Sequence, residues 1–228
     1  SILKKDEGAL TINGFDLDRE ADKIRPTVGI VFQNTVLDSR LTVRDNLATR
    51  AALYGLRGKA LNARLDFLRD TLDMGEFFNR PFGKLSGGQK RRADIARGLL
   101  HSPKTLFLDE PTTGLDPKSR QAVWNVVGRL KAETGMTVFL TTHYMEEAAR
   151  ADDVVIMDSG AIVAHGTPNE LKNAYSGDYL LLYAPQDAAT DKRLIDFGFA
   201  PKYERDRYRI KIESGARAVE FFAKFPAY

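Results

Sequence analysis

The segment Leu106–Glu110 constrains the fold of this chain more than any other stretch. Its three apolar residues are followed at once by two carboxylates, Asp109 and Glu110. A short apolar run of this kind is typical of a strand buried in a parallel sheet, and ligands bind just beyond the carboxyl ends of such strands. The sequence therefore predicts a sheet whose ligand-binding edge carries a pair of acids.

A glycine turn ahead of this strand predicts an anion site. Ser86 can cap a helix, Gly87 and Gly88 leave the backbone bare, and an apolar stripe continues to Leu100. The free N–H groups at such a helix start are well suited to phosphate. Phosphate on one side and two carboxylates on the other indicate metal-assisted chemistry on a nucleoside triphosphate.

Strand and helix patterns alternate along residues 1–175. Strands are predicted at Leu10–Asn13, Val28–Phe32, Lys104–Leu108, Met136–Leu140, Val154–Met157 and Ala161–His165. Besides the helix after Ser86, helices are predicted from Thr42 to about Tyr54, from Leu61 to about Gly75, over Pro117–Glu133 and Met145–Ala151, and from Pro168 to about Tyr175. This alternation predicts an α/β fold with helices on both faces of the sheet.

The pattern changes after residue 175, where a small α+β appendage is expected. Its strands are predicted at Tyr179–Tyr183 and Tyr208–Ile212, and its helices at Asp191–Phe197 and Ala216–Phe225. We therefore predict a core domain at 1–175 and an accessory domain at 176–228.

Five short motifs resemble those of the ATP-binding cassette (ABC) ATPases, and they occur in the family's order. They are Gln33 (the Q-loop), Leu85–Gln89 (the signature), Leu106–Glu110 (the Walker B strand), Gly114–Pro117 (the D-loop) and Thr141–His143 (the switch histidine). The resemblance covers about residues 1–175. It implies a P-loop NTPase-like ABC core, incomplete at its N-terminus, with an inserted helical subdomain at about 36–100.

The resemblance implies catalytic roles for four residues that follow predicted strands. Asp109 would hold Mg²⁺, and Gln33 would coordinate the metal or the attacking water. Glu110 would act as the general base that aligns this water, and His143 would hydrogen-bond the γ-phosphate of ATP. The expected cofactors are thus ATP and Mg²⁺.

The same resemblance places other residues at the nucleotide of a second subunit. In the family, two ATPase subunits hold ATP between them head to tail, and the signature of one closes over the γ-phosphate bound by the other. Ser86, Gly87, Gly88 and Gln89 would serve this role, and Asp116 would cross the same interface.

The sequences Leu37-Asp38, Leu41–Leu47 and Tyr54–Leu56 resemble those of the ABC-2 or drug-resistance exporter branch of the family. This implies an energising subunit that lies on the cytoplasmic face of the plasma membrane, bound to a transmembrane permease subunit. The net charge of +3 gives no reason to expect nucleic acid as a partner, and the absence of cysteine excludes disulfides and thiolate metal sites.

The chain lacks the family's phosphate-binding loop, G-x-x-x-x-G-K-[ST]. Its two Gly-Lys pairs begin at Gly58 and Gly83, and they are followed by Ala60 and Leu85 where Ser or Thr is required. We therefore expect a fragment that begins several tens of residues inside its parent protein, truncated ahead of Gln33. Because phosphoryl transfer depends on positioning the phosphates, the chain alone is expected to bind ATP very weakly and not to hydrolyse it.

Two other functions stay open at this point. The first is a soluble ABC ATPase that acts on DNA or ribosomes, although the interval 34–85 between Gln33 and Ser86 is too short for the long coiled coil of the chromosome-maintenance class. The second is a non-catalytic interaction module derived from a cassette. A phosphate-binding loop encoded in frame upstream of Ser1 favours the enzyme, and its true absence favours the module.

Overall fold

The computed structural model describes residues 5–175, 178–212 and 215–224, and it divides into two compact units, Ser1–His143 and Tyr144–Tyr228. In the first unit the strands are β1 (Thr11–Ile12), β2 (Phe15–Asp16), β3 (Val28–Val31), β4 (Thr105–Asp109) and β5 (Thr137–Thr141). Its helices are α1 (Ala21–Ile24), α2 (Val43–Ala52), α3 (Gly58–Thr71), α4 (Gly87–Leu99) and α5 (Pro117–Thr134). The predicted α/β class is confirmed.

The centre of the first unit is a parallel sheet in the order β3-β4-β5. The register pairs Val31 with Leu108, and Asp109 with Thr141. Because the three strands are parallel, their carboxyl ends lie at one edge of the sheet. The residues that follow each strand, which are those that the sequence singled out, therefore meet at this edge.

One face of this sheet is packed and the other is open. The packed face contributes to a core of apolar residues that includes Val31, Leu106, Leu108, Ile95, Leu99, Val123 and Val126. On the opposite face, Ile30, Phe107 and Phe139 lie in one row across the strands, and Ile30 and Phe139 are exposed. Among the described residues of this unit, helices thus cover one face of the sheet, whereas the alternation of elements predicted helices on both.

Helix α4 approaches β3 very closely because both carry a glycine at the point of contact. A Cβ added to Gly29 would lie 2.3 Å from the carbonyl oxygen of Gly98, and a Cβ added to Gly98 would lie 2.9 Å from Val31. A side chain at Gly29 would displace backbone atoms, and one at Gly98 would displace the Val31 side chain. The two glycines therefore set the distance between the signature helix and the sheet.

The helical segment between β3 and β4 begins as the sequence predicts. Thr42 caps α2 by accepting a hydrogen bond from the backbone N–H of Asp45 at 3.1 Å. Leu65 and Leu68 of α3 are buried in the same core as the sheet residues. The boundaries of the helical subdomain at about 36–100 stay a prediction.

The second unit contains a hairpin and a separate small sheet. Its strands are β6 (Val154–Asp158), β7 (Ala161–Gly166), β8 (Asp178–Leu182), β9 (Pro201–Glu204) and β10 (Arg207–Ile212), and its helices are α6 (Met145–Ala148), α7 (Pro168–Tyr175), α8 (Ala188–Asp196) and α9 (Gly215–Lys224). β6 pairs with β7, and β8-β10-β9 form an antiparallel sheet whose core includes Leu182, Leu194, Tyr208, Ile210 and Phe221. The α+β character expected after residue 175 is confirmed.

Three short elements, β2, α1 and β9, were not predicted. The first two are too short to show a periodic pattern, and β9 begins with Pro201, which argues against a strand except at a sheet edge. The last residue of the predicted helix Ala216–Phe225 lies outside the described residues.

The compact units divide between His143 and Tyr144, whereas the predicted domain boundary after residue 175 stays a prediction. Among the described residues, no helix is both long and apolar enough to cross a membrane.

Candidate active site

Four of the predicted site residues meet at the carboxyl edge of the parallel sheet. Gln33 follows β3, Asp109 ends β4, Glu110 comes next, and His143 follows β5. The Gln33 amide donates a hydrogen bond from Nε2 to Glu110 Oε2 at 3.2 Å, and His143 Nδ1 lies 3.5 Å from Glu110 Oε1. The Glu110 carboxylate is therefore the centre of this cluster, which we call the acid edge.

Glu110 has an unusual backbone conformation. The two-residue period of a strand predicts that the Glu110 side chain points away from that of Asp109. Instead, β4 ends at Asp109, and Glu110 has a φ of +40°, a left-handed conformation that costs a residue with a Cβ roughly 1 kcal/mol or more. Its carboxylate is held by hydrogen bonds from Gln33 and from the Thr113 hydroxyl, which donates at 3.0 Å. Such strained residues are found disproportionately at functional sites.

Thr141 connects the two acids, a role that its membership of the switch motif does not predict. Its hydroxyl donates to Asp109 Oδ1 at 2.7 Å and accepts a hydrogen bond from the backbone N–H of Glu110 at 3.1 Å. The parallel register places Thr141 directly beside Asp109. β5 thus positions both acids through the side chain of Thr141, its last residue. His143 follows two residues later.

The acid edge fits a magnesium ion that arrives with a nucleotide. Mg²⁺ prefers oxygen ligands and is usually held by one or two protein groups, with phosphate and water oxygens completing the coordination. The Asp109 carboxylate and the Gln33 amide oxygen are of this kind. No group of three or more His, Cys, Asp or Glu side chains suited to a metal occurs in the described ranges.

The signature residues form a second cluster at the start of α4. Ser86 Oγ accepts a hydrogen bond from the Gln89 N–H at 3.3 Å, and Gln89 Oε1 accepts one from the Ser86 N–H at 3.0 Å, which completes a capping box. Ser86 and Gly87 are exposed and Gly88 is buried. The Gln89 side chain is therefore engaged in the cap of its own helix.

The signature glycines also permit a close contact with the segment around the D-loop. A Cβ on Gly87 would lie 3.0 Å from Leu115 Cδ2, and a Cβ on Gly88 would lie 2.8 Å from the Ser119 side chain. Asp116 caps α5 by accepting a hydrogen bond from the Ser119 N–H at 3.0 Å. Ser86–Gln89 and Asp116 thus belong to one packed region.

The charge of the basic run Lys90–Arg92 after the signature predicts a solvated or interface face, and Arg91 departs from this prediction. Arg91 is only 8% exposed, and its guanidinium donates to three backbone carbonyls. Arg92 donates to the carbonyl of Asp73 at 2.8 Å, and Lys90 is half-buried. The interpretation as a solvated or interface face is therefore wrong for Arg91, whose carbonyl partners include Phe32, which precedes Gln33, and Asp109 of the acid edge.

The cap at Asp116 predicts a pH-dependent contribution to stability. Hydrogen bonds from the Ser119 side chain and then from its backbone N–H lower the pKa of Asp116 below its ordinary value of 3.8. A carboxyl with a lowered folded-state pKa stabilises the fold above its unfolded-state pKa, and this stabilisation is lost as the pH falls through the folded-state pKa. Asp116→Ala should therefore be less stable than the wild type at neutral pH, and the difference should shrink below about pH 4.

Thermal unfolding of the wild type, Asp116→Ala and Asp116→Asn across this pH range measures the effect. The asparagine variant keeps a capping oxygen without a titrating group, so its difference from Asp116→Ala should not change with pH. A wild-type advantage over Asp116→Ala that stays constant to about pH 2 would contradict the assignment.

Comparison with known proteins identifies the family. Residues 1–113 match the sequence profile described as ABC transporter. The fold is similar to that of cbiO1 from Clostridium perfringens, part of the ABC transporter complex cbiONQ, with a TM-score of 0.71 and 29% identity over 77% of this chain and 72% of that one. It is also similar to the ATP-binding cassette MJ0796, solved as a dimer in a post-hydrolysis state with ADP and Pi, with a TM-score of 0.64 and 26% identity over 73% of this chain and 76% of that one. The chain therefore belongs to the ABC transporter family.

Within this family, the chain is related to drug-resistance ATP-binding proteins. It is 40% identical to the daunorubicin resistance ATP-binding protein DrrA3 of Streptomyces coeruleorubidus over 179 residues, which are 78% of this chain and 56% of that protein. It is 39% identical to the doxorubicin resistance ATP-binding protein DrrA of Mycobacterium tuberculosis over 188 residues, which are 82% of this chain and 56% of that protein. The chain thus spans about half the length of these relatives.

Proposed function

We propose that the whole protein is the ATP-hydrolysing subunit of an ABC transporter of the drug-resistance exporter type. The observation that carries this proposal is the meeting of Gln33, Asp109, Glu110 and His143 at one edge of a parallel sheet. The relationship to daunorubicin and doxorubicin resistance proteins supports the exporter branch.

The chemistry follows from the positions of these side chains. Glu110 is the acid best placed to align a water and accept its proton, because Gln33 and Thr113 fix its carboxylate and His143 lies beside it. His143 is exposed and donates to the γ-phosphate or the attacking water, which polarises the reacting centre. Asp109 and Gln33 would hold the Mg²⁺, which would neutralise charge on the phosphates.

The signature acts on the nucleotide of a second subunit in this proposal. Ser86 and Gly87 are exposed at the start of α4, where backbone N–H groups and the helix dipole favour phosphate. Their exposure leaves this helix end accessible to a nucleotide that another cassette carries, and the solved dimer of a similar cassette supports such an arrangement. Asp116 lies in the region packed against these glycines, so it approaches the same interface.

The proposed partners are a second ATPase subunit and a transmembrane permease subunit. The protein would then work at the cytoplasmic face of the plasma membrane and couple ATP hydrolysis to substrate transport. Purification of the full-length gene product should recover a polytopic membrane protein with it, and the complex should hydrolyse MgATP. A full-length product that has no ATPase activity with or without membrane proteins would contradict the proposal and favour the non-catalytic module.

The 228-residue chain itself allows a direct test of nucleotide binding. None of its Gly-Lys pairs belongs to a phosphate-binding loop, so the acid edge has no lysine cradle for the β- and γ-phosphates. Calorimetric titration of this polypeptide with MgATP should show no micromolar binding. Micromolar binding would mean that the acid edge and the signature suffice to hold the nucleotide, and the expectation of weak binding would be wrong.

A further inference from the structure

Three side chains from helix α4 and from the two residues that follow it donate hydrogen bonds to the outer edge of β3. In the described part of the chain β3 pairs only with β4, so its other edge carries unpaired carbonyls. His101 Nε2 donates to the Val28 carbonyl at 3.0 Å, and Arg97 donates to the Ile30 carbonyl at 2.9 Å. Arg91 donates to the Phe32 carbonyl at 2.6 Å. α4 and β3 are thereby joined along their whole contact.

Arg91 differs from the other two because it also reaches β4. Its Nη2 donates to the Asp109 carbonyl at 2.8 Å and its Nε to the Pro111 carbonyl at 2.7 Å. Together with the Phe32 carbonyl, one planar guanidinium binds three backbone oxygens from two strand ends. The Arg fork suits this geometry, whereas a lysine ammonium is a single compact donor.

The position of these carbonyls in the chain gives the contact its importance. Phe32 directly precedes Gln33, and Asp109 and Pro111 directly flank Glu110. Arg91 therefore holds the backbone just before Gln33 and on both sides of Glu110, the two residues whose side chains are joined by the 3.2 Å hydrogen bond of the acid edge. It does so from the helix whose first turn carries the signature.

The burial of Arg91 is costly, which indicates that these bonds matter. The side chain is 8% exposed, and burial lowers the pKa of its guanidinium, against the opposing effects of Asp94 and Asp109. A buried charge is tolerated when hydrogen bonds satisfy it. Here three carbonyl oxygens accept hydrogen bonds from the guanidinium. Replacing it removes this hydrogen-bond partner from the buried Pro111 carbonyl and from the partly buried Phe32 and Asp109 carbonyls.

We propose that Arg91 is a positioning residue for the hydrolysis reaction, holding Gln33 and Glu110 at their working separation and linking them to the signature helix. This proposal rests on the proposed ATPase function. In a dimer, the signature of a subunit contacts the partner's nucleotide while its own acid edge acts on its own nucleotide. Arg91 then connects the two sites through the body of one subunit.

Arg92 provides a matched control, because it is the next residue on the same helix. It donates to the carbonyls of Asp73 at 2.8 Å and Leu72 at 3.4 Å, and its guanidinium lies 4.9 Å from the Phe77 ring. It thus joins α4 to the end of α3 and makes no hydrogen bond to β3 or β4 among those described. Arg92→Gln removes the same charge and a similar set of carbonyl contacts, away from the acid edge.

The first experiment uses the 228-residue chain without nucleotide and measures amide hydrogen exchange. In Arg91→Gln, peptides covering residues 28–34 and 105–113 should exchange about tenfold faster than in the wild type, while peptides over residues 58–75 are unchanged. Arg92→Gln should show the reverse pattern. Equal exchange in 28–34 and 105–113 for Arg91→Gln and the wild type would overturn the proposal.

The second experiment uses the full-length protein and separates positioning from folding. Arg91→Gln should lower kcat about 10- to 100-fold with the KM for ATP within about twofold, because the reacting groups are displaced while nucleotide contacts remain. Arg91→Lys keeps the charge and should be folded, yet restore little of kcat. Wild-type kcat in either variant, or an equal loss in Arg92→Gln, would overturn the proposal.

The two experiments separate this proposal from the proposed function. If the full-length wild type hydrolyses no ATP, the function fails, and the exchange result still decides whether Arg91 holds the strand ends. Should Arg91→Gln fail to fold, Arg91→Lys is measured in both experiments with the same criteria.

Discussion

Glu110→Gln in the full-length protein should lower the turnover of ATP by about 100- to 10,000-fold, the range expected for the loss of a general base. Glutamine keeps the size of the side chain and its hydrogen bonding to Thr113, but it cannot accept a proton from water. Because Asp109 and Gln33 are untouched, MgATP should still bind, and the ATP-bound dimer should accumulate. Steady-state ATPase assays and size-exclusion chromatography with MgATP measure the two effects.

Glu133→Gln is a suitable control for this prediction. Glu133 is an exposed acid near the end of α5, away from the acid edge, and its replacement should leave turnover within about twofold of the wild type. Wild-type turnover in Glu110→Gln would exclude Glu110 as the base. A loss of nucleotide binding rather than of turnover would instead assign Glu110 to the binding of the nucleotide.

Gly29→Ala should have the largest effect on stability of any single methyl group added to the first unit. The new Cβ would lie 2.3 Å from the Gly98 carbonyl oxygen and 3.0 Å from Leu106 Cδ1, so α4 must move away from β3. Overpacking costs about 1–3 kcal/mol in the free energy of unfolding, and a contact with backbone is expected at the upper end of this range. Chemical denaturation of the 228-residue chain measures this cost.

Gly128→Ala, the same glycine-to-alanine change at another position, should shift the free energy of unfolding in the opposite direction. Gly128 lies within α5, and a Cβ there would meet nothing within 4 Å. Alanine in an open helical position should raise the free energy of unfolding by about 0.5–1 kcal/mol. If both variants shifted stability in the same direction by similar amounts, the close approach of α4 to β3 would not control the stability of this unit.

The sequence predicted the parts of the fold that depend on local rules. The caps at Thr42 and Ser86 depend only on residues up to three positions further along the chain. The apolar run before Asp109 has the composition of a buried strand, which is visible without knowing its neighbours in the sheet. The assembly of the acid edge could also be predicted, because parallel strands bring their carboxyl ends together. Gln33, Glu110 and His143 meet for this reason.

The residues that were missed act over long separations in the sequence. Thr141 lies 32 positions from Asp109, and only the register of β4 and β5 reveals their contact. Arg91 was concealed by its charged neighbours, although a signal was present. It stands four residues before the buried Ile95, so it belongs to the inward stripe of α4 rather than to a solvated face.

Three missed or misjudged features share a physical cause. Glu110 leaves the strand conformation, and the Thr113 hydroxyl donates a hydrogen bond to the Glu110 carboxylate. Arg91 donates hydrogen bonds to carbonyls at the ends of two strands. Each follows from the geometry of the strand ends, where regular hydrogen bonding stops. Period-two reasoning applies within a strand, and it ceases to apply at the residues where the chemistry is proposed.

The left-handed backbone at Glu110 implies a conflict between two demands on one position. For folding alone, glycine would relieve the steric strain there, and asparagine would tolerate it better than glutamate does. A chain selected only for thermodynamic robustness would therefore be expected to replace this acid. Its presence means that the molecule sacrifices some robustness at this turn in order to keep a carboxylate there.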